Sequence, residues 1–260
     1  MVRPYSKWKL AVKTLPFVLV VLVLKMLVHH YDQEMLTLSS LFTAIVSANI
    51  FLIGFLISGT LVDYKESEKI PSDLASSLQS LADEGFILNK AHKQQIASPF
   101  LKKILMLNQS VIDWFHKKES YETVQDQLFT LNDDFLAFEK ETPANFIVRL
   151  KQEQNQLRKT LGRAKVIRET SFLGTGYAVA EILTFILVLA LIFIRMDPFY
   201  ESLFFAAFIS FMLIYMIFFI KDLDNPFGYG KSGVIEEVSL RPLLEGHKRL
   251  ELNIEKNLHA

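Results

Sequence analysis

The chain has 260 residues, with 28 basic and 28 acidic side chains and no cysteine. Balanced charge offers no basic field for nucleic acid and no acidic field for basic partners. The missing cysteine excludes disulfides, thiolate metal sites and thiol catalysis. Apolar residues concentrate in four blocks, two towards each end, which is the distribution of a membrane protein.

The N-terminus, MVRPYSKWKL, is basic and precedes an apolar run. No small-x-small cleavage pattern follows it, and three more apolar blocks come later, so it reads as mature sequence. The hydrocarbon core needs about 20 apolar residues per crossing. The first span is Leu10 to Val28, interrupted by Lys13 and Lys25. Lys25 lies near its outer end, where it either snorkels to the interface or supplies a cation that concentrates anions at an outer mouth. The following loop carries His29, His30, Asp32 and Glu34 and no Lys or Arg. Vicinal histidines point apart on a helix, so His29 and His30 make a poor chelate and read as interface residues.

The second span, Leu36 to Val62, has no charged residue. At 100° per residue, Ser40, Ala44, Ser47, Phe51, Gly54, Phe55 and Ser58 share one arc of about 100°. The opposite arc holds Phe42, Ile45, Leu52, Ile53 and Leu56, with Asn49 as its polar member. Two readings compete. Small residues such as Gly54 and Ser58 let helices pack closely in lipid. Alternatively, copies of this helix around an axis offer hydroxyl rings to hydrated ions, with Phe51 and Phe55 as a constriction that closes by dewetting. A chain with four spans cannot build that ring alone, so the pore reading requires a homo-oligomer.

Residues 63–171 read as helices. Pro71, Pro99 and Pro143 each suit a first helical turn, with Ser98 and Thr142 as N-caps. Apolar stripes recur at helical spacing: Leu74, Leu78, Leu81; Phe100, Ile104, Leu107, Val111, Phe115; Val124, Leu128, Leu131, Phe135, Phe138; Phe146, Leu150, Leu157, Leu161, Ala164. An antiparallel bundle buries such stripes. The last one runs almost unbroken towards the third span, so that helix is expected to continue into the membrane.

The third span is Phe172 to Ile194, with Glu181 inside it. A carboxylate at that depth is a functional candidate. It pairs with Lys13 or lines a lateral cavity. The fourth span, Ser202 to Ile220, is uncharged and leads directly into KDLDNPFGYGKSG. Asn225-Pro226 stops the helix, because the residue before proline is pushed out of helical geometry. Asp222 and Asp224 sit where the helix dipole disfavours them, which calls for cationic partners. Basic residues of the short loops place both termini, and residues 63–171, in the cytosol of a plasma or bacterial inner membrane.

The expected organisation is an all-α membrane protein: an N-terminal transmembrane hairpin (1–62), a cytosolic helical region (63–171), a C-terminal transmembrane hairpin (172–220) and a cytosolic C-terminal segment (221–260). No glycine-rich phosphate loop, HExxH or GxSxG occurs. An enzyme is therefore not expected, nor a cofactor or a metal site.

Two blocks resemble the bestrophin family. FLIGF, Phe51 to Phe55, followed by the polar exit DYKESEKIP, resembles the second membrane helix of bestrophins. LDNPFG, Leu223 to Gly228, resembles the turn that follows their last span. Trp8 ahead of the first span fits, and EEVSLRPL looks closest to the smaller, mostly bacterial, bestrophin-like proteins. The resemblance implies a bestrophin-like, pentameric channel, usually passing anions, some bacterial relatives passing cations. Its neck is ringed by three apolar positions four residues apart, which fall here on Ser47, Phe51 and Phe55. With Ser40 and Ser58 from the same arc, these are the expected pore-lining residues. Ser47 departs from the pattern and makes the neck wetter. The turn Asn225, Pro226, Phe227 and Gly228 is expected to couple the cytosolic region to the neck, with Phe227 as a wedge. In animal bestrophins that turn leads into acidic residues that help bind calcium. Here Tyr-Gly-Lys-Ser-Gly follows Gly228, so calcium gating is not expected. The expected partners are further copies of the chain, the lipid bilayer and inorganic ions. The rival reading is a non-conducting membrane scaffold whose helices recruit a cytosolic partner.

Overall fold

In lipid, a backbone N–H has no water to bond to, so a single apolar segment crosses as a helix that satisfies its own backbone. The computed structural model describes residues 8–91, 94–170, 173–229 and 237–258, and among them four helices are long and apolar enough to cross a membrane. These are α1 (Lys9–His30), α2 (Ser40–Ser67), α7 (Gly174–Phe193) and α8 (Phe199–Leu223). The remaining helices are α3 (Ile70–Lys90), α4 (Gln94–Phe115), α5 (Tyr121–Glu139), α6 (Ala144–Glu169) and α9 (Arg241–Leu258).

The second span starts later and ends later than its hydropathy suggests. Leu36 and Thr37 form a short strand, β1, paired in parallel with β2 (Ile194–Arg195). The Ser39 hydroxyl then accepts the Phe42 N–H at 3.1 Å and caps the first turn of α2. At its other end α2 runs five residues past Val62.

The chain divides into two units. The first holds the four apolar helices. Its core joins Ile53 and Leu56 of α2 to Ala180 and Leu187 of α7 and to Leu213, Ile217 and Ile220 of α8. α1 packs on α7 and α8.

The second unit takes Lys65–Thr170, Phe227 and the described residues from Glu237 onward. Within it α3 packs against α4, α6 and α9, and α5 against α4 and α6. Every residue of the four stripes in this region is buried, from Leu74 to Ala164. The last turn of α2 is held here, by a two-pronged contact of Arg163 with Glu66 at 2.8 and 2.6 Å.

Three local expectations are corrected. Pro99 lies inside α4, six residues in, so Ser98 is not an N-cap. Thr142 donates back to the Phe138 carbonyl at 2.8 Å and closes α5 rather than opening α6. The stripe of α6 does not run on as one helix into the third span. Thr170 is extended, with φ −118° and ψ 139°, and ends α6. α9 was not foreseen, although Leu243, Leu250 and Ile254 bury one of its faces.

Candidate pore face on the second helix and its supports

α2 presents two chemically different faces, and its own chain covers one of them. Ile53 and Leu56 are at most 1% exposed, and Phe42, Val46, Leu52 and Ile57 are packed against the same core. Asn49, the polar member of this face, is fully buried and donates from Nδ2 to the Thr184 hydroxyl at 3.0 Å. Ile45, expected on the greasy face, is 40% exposed and lies at its edge.

The small, hydroxylated stripe stays uncovered by the chain. Ser40, Ala44, Ser47, Gly54 and Ser58 are exposed. Phe51 is 78% exposed and Phe55 57%. The Ser47 hydroxyl donates to the Thr43 carbonyl at 2.9 Å, which leaves its oxygen lone pairs outward. A Cβ added to Gly54 would meet nothing within 4 Å. The Gly54–Ser58 pair therefore does not serve helix packing within the subunit.

The close approach lies elsewhere, at Gly176. A Cβ there would fall 2.8 Å from Leu173 Cδ2 and 2.9 Å from Leu56 Cδ2. Glycine at this position leaves room for the Leu56 side chain against α7, a role the sequence reading missed. One turn towards the end of α2 a polar chain continues the contact. The Thr60 hydroxyl lies 2.9 Å from the Leu56 carbonyl and 2.9 Å from Tyr177 Oη, donating to one or the other. Tyr177 in turn donates to Asp224 Oδ1 at 2.9 Å. This chain ties the second helix to the C-cap of α8.

The turn that follows is built as the sequence suggests at its start. α8 ends at Leu223, Asp224 is its C-cap, and the Asn225 N–H reaches the Asp222 carbonyl at 3.3 Å. Pro226, Phe227 and Gly228 are buried. Phe227 is 1% exposed and its ring centroid lies 5.0 Å from that of Phe115 and 6.4 Å from that of Tyr229. It is a core residue of the second unit. Gly230 and the Lys-Ser-Gly stretch after it lie outside the described residues, as do Arg3 and Lys7 at the N-terminal flank.

No family model and no curated protein matches the sequence. Solved structures do. One is a bacterial bestrophin homologue from Klebsiella pneumoniae carrying a point substitution, matched with a TM-score of 0.78 at 13% identity, over 94% of this chain and 98% of that one. A second variant matches with a TM-score of 0.77 at 13% identity, over 97% and 99%. The structure phased on zinc matches at 0.75 and 13% identity, over 94% and 97%. The chain has the bestrophin fold. The likeness spans both chains almost end to end.

Within this bestrophin fold the two intramembrane charges find partners that sequence did not supply. Lys25 is fully buried and does not snorkel. Its Nζ lies 2.7 Å from Glu34 Oε1 and also donates to the carbonyl of Ile194 in β2. A matched, buried lysine is no free cation for an outer mouth. His29 Nδ1 sits 3.0 Å from the other oxygen of Glu34, and its ring stacks on Phe199 with centroids 3.6 Å apart. Burial pushes the Glu34 carboxyl up, but its bonds to Lys25 and His29 prevail and hold it below the usual carboxylate range. Glu181 pairs with Lys221 at 2.9 Å. Lys13, its expected partner, instead stands over the Phe218 ring, 5.0 Å from the centroid. Lys221 was missed because it sits just beyond the fourth apolar run, forty residues away in sequence.

Proposed function

We propose that the chain is the subunit of a homo-oligomeric ion channel, most simply a pentamer, with the exposed stripe of α2 lining the conduction path. The observation that carries this reading is the placement of Ser47, Phe51 and Phe55 on the one face of α2 that its own subunit leaves uncovered. The bestrophin fold supports the same class of function. In a ring of such helices the hydroxyls of Ser40, Ser47 and Ser58 would line the passage. Phe51 and Phe55 would form its apolar neck, which conducts when wet and closes by dewetting.

Anions are the favoured ions. The span from Ser40 to Val62 carries no carboxylate that would repel them. The positive edges of phenylalanine rings also suit negative charge. Calcium is not the gating ligand in this reading, because no acidic run follows Gly228 in the sequence. The basic N-terminal flank places both termini in the cytosol.

The test is ion flux in liposomes that contain only the purified protein, with chloride and sodium gradients run separately and the subunit number counted by cryo-EM. Chloride flux through a pentamer with α2 on its axis is the expected result. A folded oligomer with no flux of either ion, or a monomer in a detergent that preserves the fold, overturns the proposal and favours the scaffold.

A further inference from the structure

A groove of about 900 Å³ runs between α1, α7 and α8. Its walls are apolar side chains, Phe17, Val20, Leu24, Phe185, Val188 and Leu189 among them. Between Glu181 and Ile192, both lining residues, the helix rises on the order of 16 Å. That length and width suit an acyl chain rather than a compact ligand.

One end of the groove is different. Glu181 and Lys221 both line it and pair at 2.9 Å, with side chains 42% and 53% exposed. Phe218, also lining, carries Lys13 over its ring at 5.0 Å. Phe17, one turn after Lys13, packs edge-on against Phe218 at 5.5 Å. Among the described residues Lys13 has this ring and no carboxylate as partner. Two lysines against one carboxylate leave one unit of positive charge. It sits where α1 begins and α8 ends, at the boundary of the apolar stretch.

We infer that this groove is a binding site for one anionic glycerophospholipid, its acyl chain lying along α7 and its phosphodiester held between Lys13 and Lys221. Glu181 orients Lys221 and limits the net charge of the site to that of a single phosphate. A membrane surface lysine attracts anionic lipid modestly. Two of them converging on one phosphate beside an apolar cleft give a discrete site rather than an average shell of lipid. The inference rests only on the chain lying in a membrane. It does not depend on conduction, so protein that holds this lipid but passes no ions would overturn the proposed function alone.

The test is native mass spectrometry of the full-length protein in detergent, titrated with phosphatidylglycerol and with phosphatidylcholine of the same acyl chains. The expected result is one bound phosphatidylglycerol per subunit, preferred over phosphatidylcholine by about tenfold or more. The double substitution Lys13→Gln and Lys221→Gln should abolish the preference. Lys13→Arg with Lys221→Arg should keep it, and Val188→Trp should block both lipids by filling the groove. The arginine and tryptophan variants keep the test decisive if the glutamine variant fails to fold. Equal affinity for the two lipids means an ordinary lipid shell and overturns the inference. So does a preference that survives the glutamine substitutions, or inorganic phosphate that competes at equal concentration. Loss of oligomers with unchanged lipid binding in Val188→Trp would make the groove a contact between subunits, and overturns it too.

Discussion

At the scale of the residue, the stripe on α2 depends on two kinds of side chain with opposite tasks. In the proposed path Ser47 would keep the lumen wet and the phenylalanines would keep it narrow. Replacing Ser47 with Phe adds a third apolar ring, and chloride flux in liposomes should fall severalfold at unchanged protein abundance. Phe55→Ala should raise flux by a similar factor, because the residue is 57% exposed and little of the subunit core is lost. Unchanged flux in both variants would separate these residues from the path. The Lys25–Glu34 pair makes a different prediction. The folded-state pKa of Glu34 is depressed, so its contribution is fully present above the unfolded value of about 4.3 and is lost as pH falls through the folded value. Breaking a buried pair from one side costs about 3–5 kcal/mol. Glu34→Gln should therefore unfold at lower temperature than the parent at pH 7, and the gap should narrow below pH 4. A gap that stays constant from pH 7 to pH 3.5 would contradict this account of the pair. Neither Lys25 nor Glu181 could be assigned its partner by inspection of the sequence. Lys25 reaches the carbonyl of Ile194, which lies 169 positions away.

At the scale of the element, α2 is fixed by one tight contact and left free along the opposite side. Gly176 and Gly54 report on the two sides. Gly176→Leu forces side-chain atoms into a space where even a Cβ lies under 3.0 Å from Leu56, and overpacking of that kind costs about 1–3 kcal/mol. It should lower the thermal midpoint and disturb flux together. Gly54→Ala meets nothing in its own subunit, so the folded subunit should lose no more than about 0.5 kcal/mol. Matching losses of thermal stability in the two variants would mean that the stripe of α2 is packed. The turn after α8 carries a packed aromatic side chain. Phe227 is buried against Phe115 and Tyr229, so Phe227→Ala should cost about 3–5 kcal/mol and reduce abundance as well as any flux. Normal abundance with altered flux alone would contradict this packing role and favour that of a coupling wedge. The stripes of α3 to α6 were legible because 3.6-residue periodicity is local. The approach at Gly176 was not, because its partner Leu56 belongs to another helix far away in sequence.

At the scale of the whole molecule, four apolar helices and a helical polar unit were legible from hydropathy and periodicity, and the bestrophin fold from two short blocks near the second and fourth spans. α9 escaped because its apolar positions are sparse: Leu243, Leu250 and Ile254 among charged neighbours. What no single chain can display is the axis that the stripe of α2 is proposed to face. The chain has no cysteine, so one introduced thiol reports on one position. Ser47→Cys, reconstituted in liposomes and treated with a membrane-impermeant, charged thiosulfonate reagent, addresses the axis directly. If Ser47 looks onto a shared aqueous path, the reagent should react and suppress chloride flux, while Ile53→Cys on the packed face stays unmodified. Flux that persists unchanged after complete modification of Ser47→Cys, or no reaction in an oligomer that conducts, would contradict the proposed path along α2.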